Sequence, residues 1–173
     1  MSGSIAAYRV CDLIRGLRAE GANVVCLMTR AAQEFITPLT LKSLSGNQVY
    51  TDPFSGHEDW NVVHTTLADQ ANLILVAPAT ADVIARMAAG MADDMVTSVI
   101  LASQAPVLVV PAMNDHMYAH SITQENIKKL SKHNYQFVNP IEGDLVCGRK
   151  GMGHIADNSQ MLVSIHKILN AKN

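Results

Sequence analysis

Apolar positions along this chain fall into two patterns. Four short runs, at 23–28, 73–77, 107–110 and 135–138, are apolar at most positions, as expected of strands covered on both faces of a parallel sheet. Between them apolar residues recur every three or four positions, the spacing of helices with one buried stripe. Val10, Leu13, Ile14 and Leu17 mark the first such stripe, which closes near Gly21. Thr29 is a good N-cap for a short helix reaching Phe35. Thr37-Pro38 repeats the start signal, with Pro38 at the first helical position and Gly46 past the end. Further helices are expected from about Asp82 to Met91, over 94–102, over much of 116–132, and over 159–171. Residues 51–61 read as a loop, and 139–158 as a long glycine-rich segment without periodicity. Strands alternating with helices predict an α/β fold, a Rossmann-like three-layer domain built on a parallel sheet. The opening Met1-Ser2-Gly3-Ser4-Ile5 looks like the turn after a first strand, so that strand is expected to be missing from the sequence as it stands.

Composition narrows the class. With 49% apolar residues among 173, the chain can bury the core of one domain over 1–173, with a flexible substrate flap expected at about 143–157. A net charge of −2 offers no basic surface for a nucleic-acid backbone. No apolar run approaches the roughly 20 residues of a membrane span. The three cysteines are odd in number and scattered, which argues for a reducing compartment over a disulfide framework. A cytoplasmic domain is the expectation.

Candidate chemistry gathers at predicted strand–helix junctions, where open α/β sheets bind ligands. Gly3-Ser4-Ile5 at a helix start offers free backbone N–H groups to a phosphate, although small residues also begin ordinary helices. Thr29, then Thr80-Ala81-Asp82, then Ala112 to Asn114 supply three more such junctions. Together they make a rim suited to a planar phosphorylated cofactor, while no Gly-x-Gly-x-x-Gly or Walker lysine loop is present. His64 could move a proton near neutral pH, or simply occupy a helix start on the surface. Cys147 lies among Gly148, Arg149, Lys150, Gly151 and Gly153, where neighbouring cations favour a thiolate. Cys11 and Cys26 sit in helix and strand patterns and read as core. His116 and His120 have a metal-ligand spacing on one expected helix but lack a third ligand, so no metal is expected.

Taken in order, Gly3–Tyr8, Phe35–Thr40, His64, 77–82 with 89–94, 111–117 and the 147–153 flap resemble the flavin-dependent cysteine decarboxylase family. The resemblance covers nearly the whole chain. It implies a flavodoxin-like domain holding FMN through Gly3, Ser4, Ile5, Thr29, Thr80, Ala81, Asp82 and Ala112. It further implies trimers or multiples of trimers, up to a dodecamer, with the active site at a subunit interface and His64 reaching across it. The implied substrate is the small molecule 4′-phosphopantothenoyl-L-cysteine, on the path to coenzyme A, and a synthetase domain or partner accompanies many bacterial members. By the same resemblance His64, Asn114 and Cys147 are catalytic, while Asn114, Met117, Gly148 and Lys150 bind substrate. Asp69, Tyr118 and His154 depart from the residues usual in the family. The alternatives are a peptidyl-cysteine decarboxylase and a non-catalytic regulatory subunit of the same fold.

Overall fold

A computed structural model describes residues 1–52, 63–144, 148 and 150–171. Its first elements are α1 (Ala7–Ala19), β1 (Cys26–Leu27), a 3-10 turn (Arg30–Glu34), α2 (Pro38–Ser45) and β2 (Val49–Tyr50). Then come α3 (Val63–Gln70), β3 (Ile74–Ala79), α4 (Ala81–Ala89), α5 (Met95–Ala102) and β4 (Val107–Pro111). The chain continues with α6 (Asp115–Ala119), α7 (Ser121–Lys132), β5 (Gln136–Phe137), β6 (Ile141–Asp144), β7 (Lys150–His154) and α8 (Asn158–Asn170). β3, β4 and β5 pair in parallel in that order, and β1 pairs in parallel with β2.

The apolar runs are buried on both sides. Ala77, Leu108 and Val110 face a core shared with Val10, Leu13 and Ile14 of α1 and Met161 and Ile165 of α8. Val76, Val107 and Val109 face the opposite core, made with Val83, Ile84 and Met87 of α4 and Leu130 of α7. That alternation along continuous apolar strands is what a sheet covered by helices on both faces demands, and the expected α/β architecture is found.

Local signals placed the helix starts well. The hydroxyls of Thr29, Thr37 and Thr80 accept the N–H groups of Ala32, Thr40 and Val83, and Gly46 ends α2 at φ 72°, a left-handed geometry that glycine adopts without penalty. Asp94 caps α5 in a reciprocal box with Thr97. Three expectations change. The helix expected over 116–132 is two helices, broken at His120, whose ring nitrogen caps α7 by accepting the Ile122 N–H at 3.3 Å. His116 and His120 therefore do not share one helix. The glycine-rich segment contains an antiparallel hairpin, β6–β7, and β2 adds a short strand beside β1. No helix among the described residues is long and apolar enough to cross a membrane.

Met1 and Ser2 tie the two sheets together at one end. The Met1 amine donates to the Leu27 carbonyl at 2.8 Å, and the Met1 carbonyl accepts from Thr29 N–H at 3.1 Å. Ser2 N–H donates to the Pro78 carbonyl at 3.2 Å. Burial pushes the amine of this 173-residue chain down from 8.0 to about 6. The unfolded amine takes up a proton below about 8 and the folded one only below about 6. Stability is therefore expected to rise as pH climbs from about 6 to 8, with this group contributing about 2–3 kcal/mol. Thermal unfolding across that window measures the slope; an acetylated amino terminus should lose this contribution, and an identical slope after acetylation would refute it.

Candidate functional site

Parallel strands put their carboxyl ends on one edge, and there the predicted junctions meet. Ser2 is the clasp. Its buried hydroxyl donates to the Pro78 carbonyl at 2.8 Å and accepts the Thr80 N–H at 3.0 Å. With Met1 bonded to Leu27 and Thr29, the chain ends of β1 and β3 are held beside the Gly3–Ile5 turn that starts α1. Within that turn Ser4 Oγ accepts the Ala6 N–H at 3.3 Å and its carbonyl accepts from Ala7. Among the described residues, the Gly3 and Ile5 N–H groups have no protein acceptor. They sit at the positive end of a 13-residue helix, the arrangement that suits an anion. A Cβ on Gly3 would lie 2.6 Å from Ala31 Cβ and 2.9 Å from its carbonyl, so the close approach to the turn after Thr29 requires glycine.

The other candidates on this rim are also placed. Thr29 is buried and its hydroxyl is used as a cap; Thr80 and Ala81 are half-buried at the start of α4. Ala112 is buried, its N–H donating to the Ala79 carbonyl at 2.9 Å. Asp82 is exposed and 3.8 Å from Arg86 Nη1. Arg86 also pairs with Asp93 and, at 2.9 Å, with Asp94, closing the turn between α4 and α5. Arg86 holds the Asp93 carboxyl below its ordinary pKa, chiefly through their hydrogen bond.

Asn114 stands where β4 gives way to α6. Its Oδ1 accepts the N–H groups of His116 at 3.0 Å and Met117 at 3.4 Å. With the oxygen committed to the cap, the amide's chemistry toward a ligand is donation. Met117, one turn on, is 48% exposed. Strand β7 lies directly against this turn: Met113 N–H donates to the Gly153 carbonyl at 3.0 Å. A Cβ on Gly153 would come within 2.2 Å of the Met113 carbonyl oxygen, and one on Gly151 within 2.8 Å of Asp115 Cβ. These two glycines permit close packing, while Gly148, at φ 81°, is the one that uses glycine's conformational freedom. Lys150 is exposed at the start of β7. Cys147 lies outside the described residues.

His64 occupies the first turn of α3, which packs on α5. No hydrogen bond or ion pair among the described residues joins it to the Asn114 turn or to the Gly3 turn. Cys26 is buried and Cys11 half-buried, and burial pushes both thiols above their ordinary pKa; neither is a reactive thiolate.

Sequence reasoning missed Ser2, Arg9 and Arg86. The Arg9 guanidinium lies against the His154 ring, 3.0 Å from Nδ1 and 3.2 Å from Nε2, and 3.9 Å from Asp157. It thereby ties α1 to the base of the hairpin. No spacing rule could have found a contact 145 residues long.

A family model described as Flavoprotein matches residues 1–170. The coenzyme A biosynthesis bifunctional protein CoaBC of Vibrio vulnificus is 45% identical over 172 residues, 99% of this chain and 43% of that protein. The chain thus spans less than half the length of the bifunctional relatives it matches. A probable phosphopantothenoylcysteine decarboxylase of Streptococcus mutans is 44% identical over 98% of this chain and 96% of that protein. Among solved structures, a cysteine-to-serine mutant of PPC decarboxylase complexed with pantothenoylaminoethenethiol matches with a TM-score of 0.89 and 27% identity, covering 98% of this chain and 94% of that one. The FMN binding protein AtHal3 matches with a TM-score of 0.85 and 27% identity, over 98% and 94% of the two chains.

Proposed function

This chain belongs to the Flavoprotein family, and on that footing we propose that it is an FMN-dependent decarboxylase converting 4′-phosphopantothenoyl-L-cysteine to 4′-phosphopantetheine in coenzyme A synthesis. The observation that carries this reading is the single rim at which Met1 and Ser2 bring together the Gly3–Ile5 turn, Thr29 and Thr80. A mononucleotide fits the residues there. The Gly3 and Ile5 N–H groups at the start of α1 would hold its phosphate, with Ser4 shaping the turn. Thr29, Thr80, Ala81, Asp82 and Ala112 would line the remainder, small enough to admit a flat ring. Bound FMN would supply a reversible two-electron acceptor, so no outside reductant is consumed.

The chain's own groups do the rest. Asn114 donates from Nδ2 to the substrate carboxylate and holds it in place, with Met117 beside it. His64 handles the proton of the substrate's cysteine end as that end is oxidised to a thioaldehyde. The thiocarbonyl then takes up the electron pair left by CO2. Cys147 donates the proton as the resulting ene-thiol is reduced, and Gly148 and Lys150 keep the substrate under the hairpin. By the family resemblance, His64 serves the site of a neighbouring protomer in a trimer or multiple of trimers. Exposed Ile5, Tyr8, Phe35 and Leu39 give such contacts an apolar surface. A monomer in sedimentation of the active enzyme would exclude that assembly. The compartment is a reducing cytoplasm, and the partner activity a synthetase, by analogy with the bifunctional relatives.

Gly3→Ala tests the phosphate seat. Its methyl must displace Ala31, so a loss of about 1–3 kcal/mol is expected, together with flavin retention reduced about tenfold or more in the purified protein. Gly16→Ala, with nothing within 4 Å of the added carbon, should keep its flavin and gain slightly in stability. The whole reading is tested by mass spectrometry of 4′-phosphopantothenoylcysteine after incubation with the flavin-loaded protein. Loss of CO2 alone is the expected product. Loss of CO2 and two hydrogens would assign an oxidative decarboxylase that stops at the ene-thiol, and unchanged substrate with flavin bound would overturn the substrate assignment.

A further inference from the structure

The Asn114 turn has little packing of its own. Helix α6, which follows it, is five residues long and fully buries none of them. Its support comes from β7. Gly153 accepts the Met113 N–H at 3.0 Å, and the missing side chains of Gly151 and Gly153 both point at the turn, toward Asp115 and the Met113 carbonyl oxygen. Neighbouring residues of a strand face opposite ways, so His154 leaves β7 on the other side. There it meets Arg9, in the first turn of α1. The end of β7 is thus a strap between the turn that carries Asn114 and the helix whose start forms the phosphate seat.

The contact that fastens this strap is chemically specific. Arg9 Nη1 lies 3.0 Å from Nδ1 and 3.2 Å from Nε2 of His154. A guanidinium only donates, so the ring must offer it a lone pair. The Ile155 carbonyl, 3.1 Å from Nδ1, takes the hydrogen on that nitrogen and leaves Nε2 as the acceptor. The same ring packs over β6, where a Cβ on Gly143 would lie 3.0 Å from its Cγ. Arg9 therefore holds both strands of the hairpin through one side chain. Its second contact, Nη2 to Asp157 at 3.9 Å, is a loose and half-exposed ion pair that adds little.

We propose that Arg9 is a positioning residue of the decarboxylase reaction: by latching His154 to α1 it fixes the spacing between the phosphate seat and the Asn114 turn. On the decarboxylase reading, on which this proposal rests, that spacing sets how the substrate carboxylate stands against the flavin ring. Arg9 acts through His154 and β7, and its loss should be felt in the chemical step more than in binding.

Four variants test it. Arg9→Met keeps a long stem and removes the donors, while Arg9→Lys returns a donor without the planar fork. His154→Phe keeps a ring without an acceptor, and His154→Gln keeps an acceptor. With FMN saturating, kcat for 4′-phosphopantothenoylcysteine should fall about 10- to 100-fold in Arg9→Met and His154→Phe, with KM within about threefold of the parent. Arg9→Lys and His154→Gln should recover most of that loss. Combining Arg9→Met with His154→Phe should cost no more than either alone, since both remove one contact. Exchange of the Met113 amide, read without substrate, should quicken about tenfold in the two damaging variants. Glu20→Gln is the stability control. It weakens the contact with His166, 2.6 Å away, by which the far end of α1 meets α8, and it should alter neither kcat nor Met113 exchange.

Parental kcat in Arg9→Met overturns the proposal. So does a rise in KM alone, which would make Arg9 a substrate ligand, or an equal loss of kcat in Glu20→Gln, which would make it a general support of α1. Should the parent leave the substrate unchanged with flavin bound, the decarboxylase reading fails by itself. Met113 exchange then decides the latch separately: quickened exchange in Arg9→Met upholds it, and unchanged exchange overturns it.

Discussion

Cys147→Ser protein is expected to release CO2 from 4′-phosphopantothenoylcysteine yet form 4′-phosphopantetheine about 10²–10⁴ times more slowly than the parent, the range over which a positioned proton donor contributes. A serine hydroxyl is a far weaker acid than a thiol, so it fills the same space without delivering the proton that reduction of the ene-thiol requires. Oxidation and decarboxylation precede that demand and should proceed at close to the normal rate in a single turnover. The product that accumulates is the ene-thiol, lighter than phosphopantetheine by two hydrogens. Rapid-quench mass spectrometry distinguishes the two products. Normal phosphopantetheine formation by the serine variant would remove Cys147 from the mechanism.

Gly153→Ala should damage catalysis through the backbone. The added methyl would lie 2.2 Å from the Met113 carbonyl oxygen and 3.3 Å from Asp115 N. Both are main-chain atoms, so no side-chain rotation relieves the overlap. β7 must move off the turn by roughly 1 Å, losing the Met113–Gly153 hydrogen bond and loosening the support of Asn114. Overpacking of this kind costs about 1–3 kcal/mol, and a 1 Å misplacement of a positioning group costs about 10²-fold in rate. The Gly3, Thr29 and Thr80 side of the rim is untouched, so flavin should remain bound. Gly21→Ala is the control: it has a left-handed φ of 87° but open space around the new carbon. It should lose about 1–2 kcal/mol through backbone strain alone. Comparing kcat, KM and flavin content for the two variants checks this. A Gly153→Ala enzyme with parental kcat would show that β7 does not position Asn114.

Elements controlled by neighbours in sequence were legible. The caps at Thr29, Thr37, Thr80 and Asp94 satisfy N–H groups three residues ahead, so a window of four residues contains the whole interaction. The double-faced burial of 107–110 follows from four consecutive apolar residues. The hairpin β6–β7 was not legible, because its glycines answer to non-neighbouring residues: Gly153 to Met113 and Gly151 to Asp115 outside the hairpin, and Gly143 to the His154 ring across it. From sequence alone they signified freedom; in the fold two of them signify contact with the Asn114 turn. The His120 break was likewise hidden, since an imidazole accepting from Ile122 has no periodic signature.

The candidate site divides along the same line. Sequence by itself determined which residue types stand at the strand ends, because apolar runs, caps and small residues act over a few positions. Tertiary structure decided which of those ends meet. Ser2 reaches Pro78 across 76 residues and Arg9 reaches His154 across 145, and no local preference selects a hydrogen-bond partner at such separation.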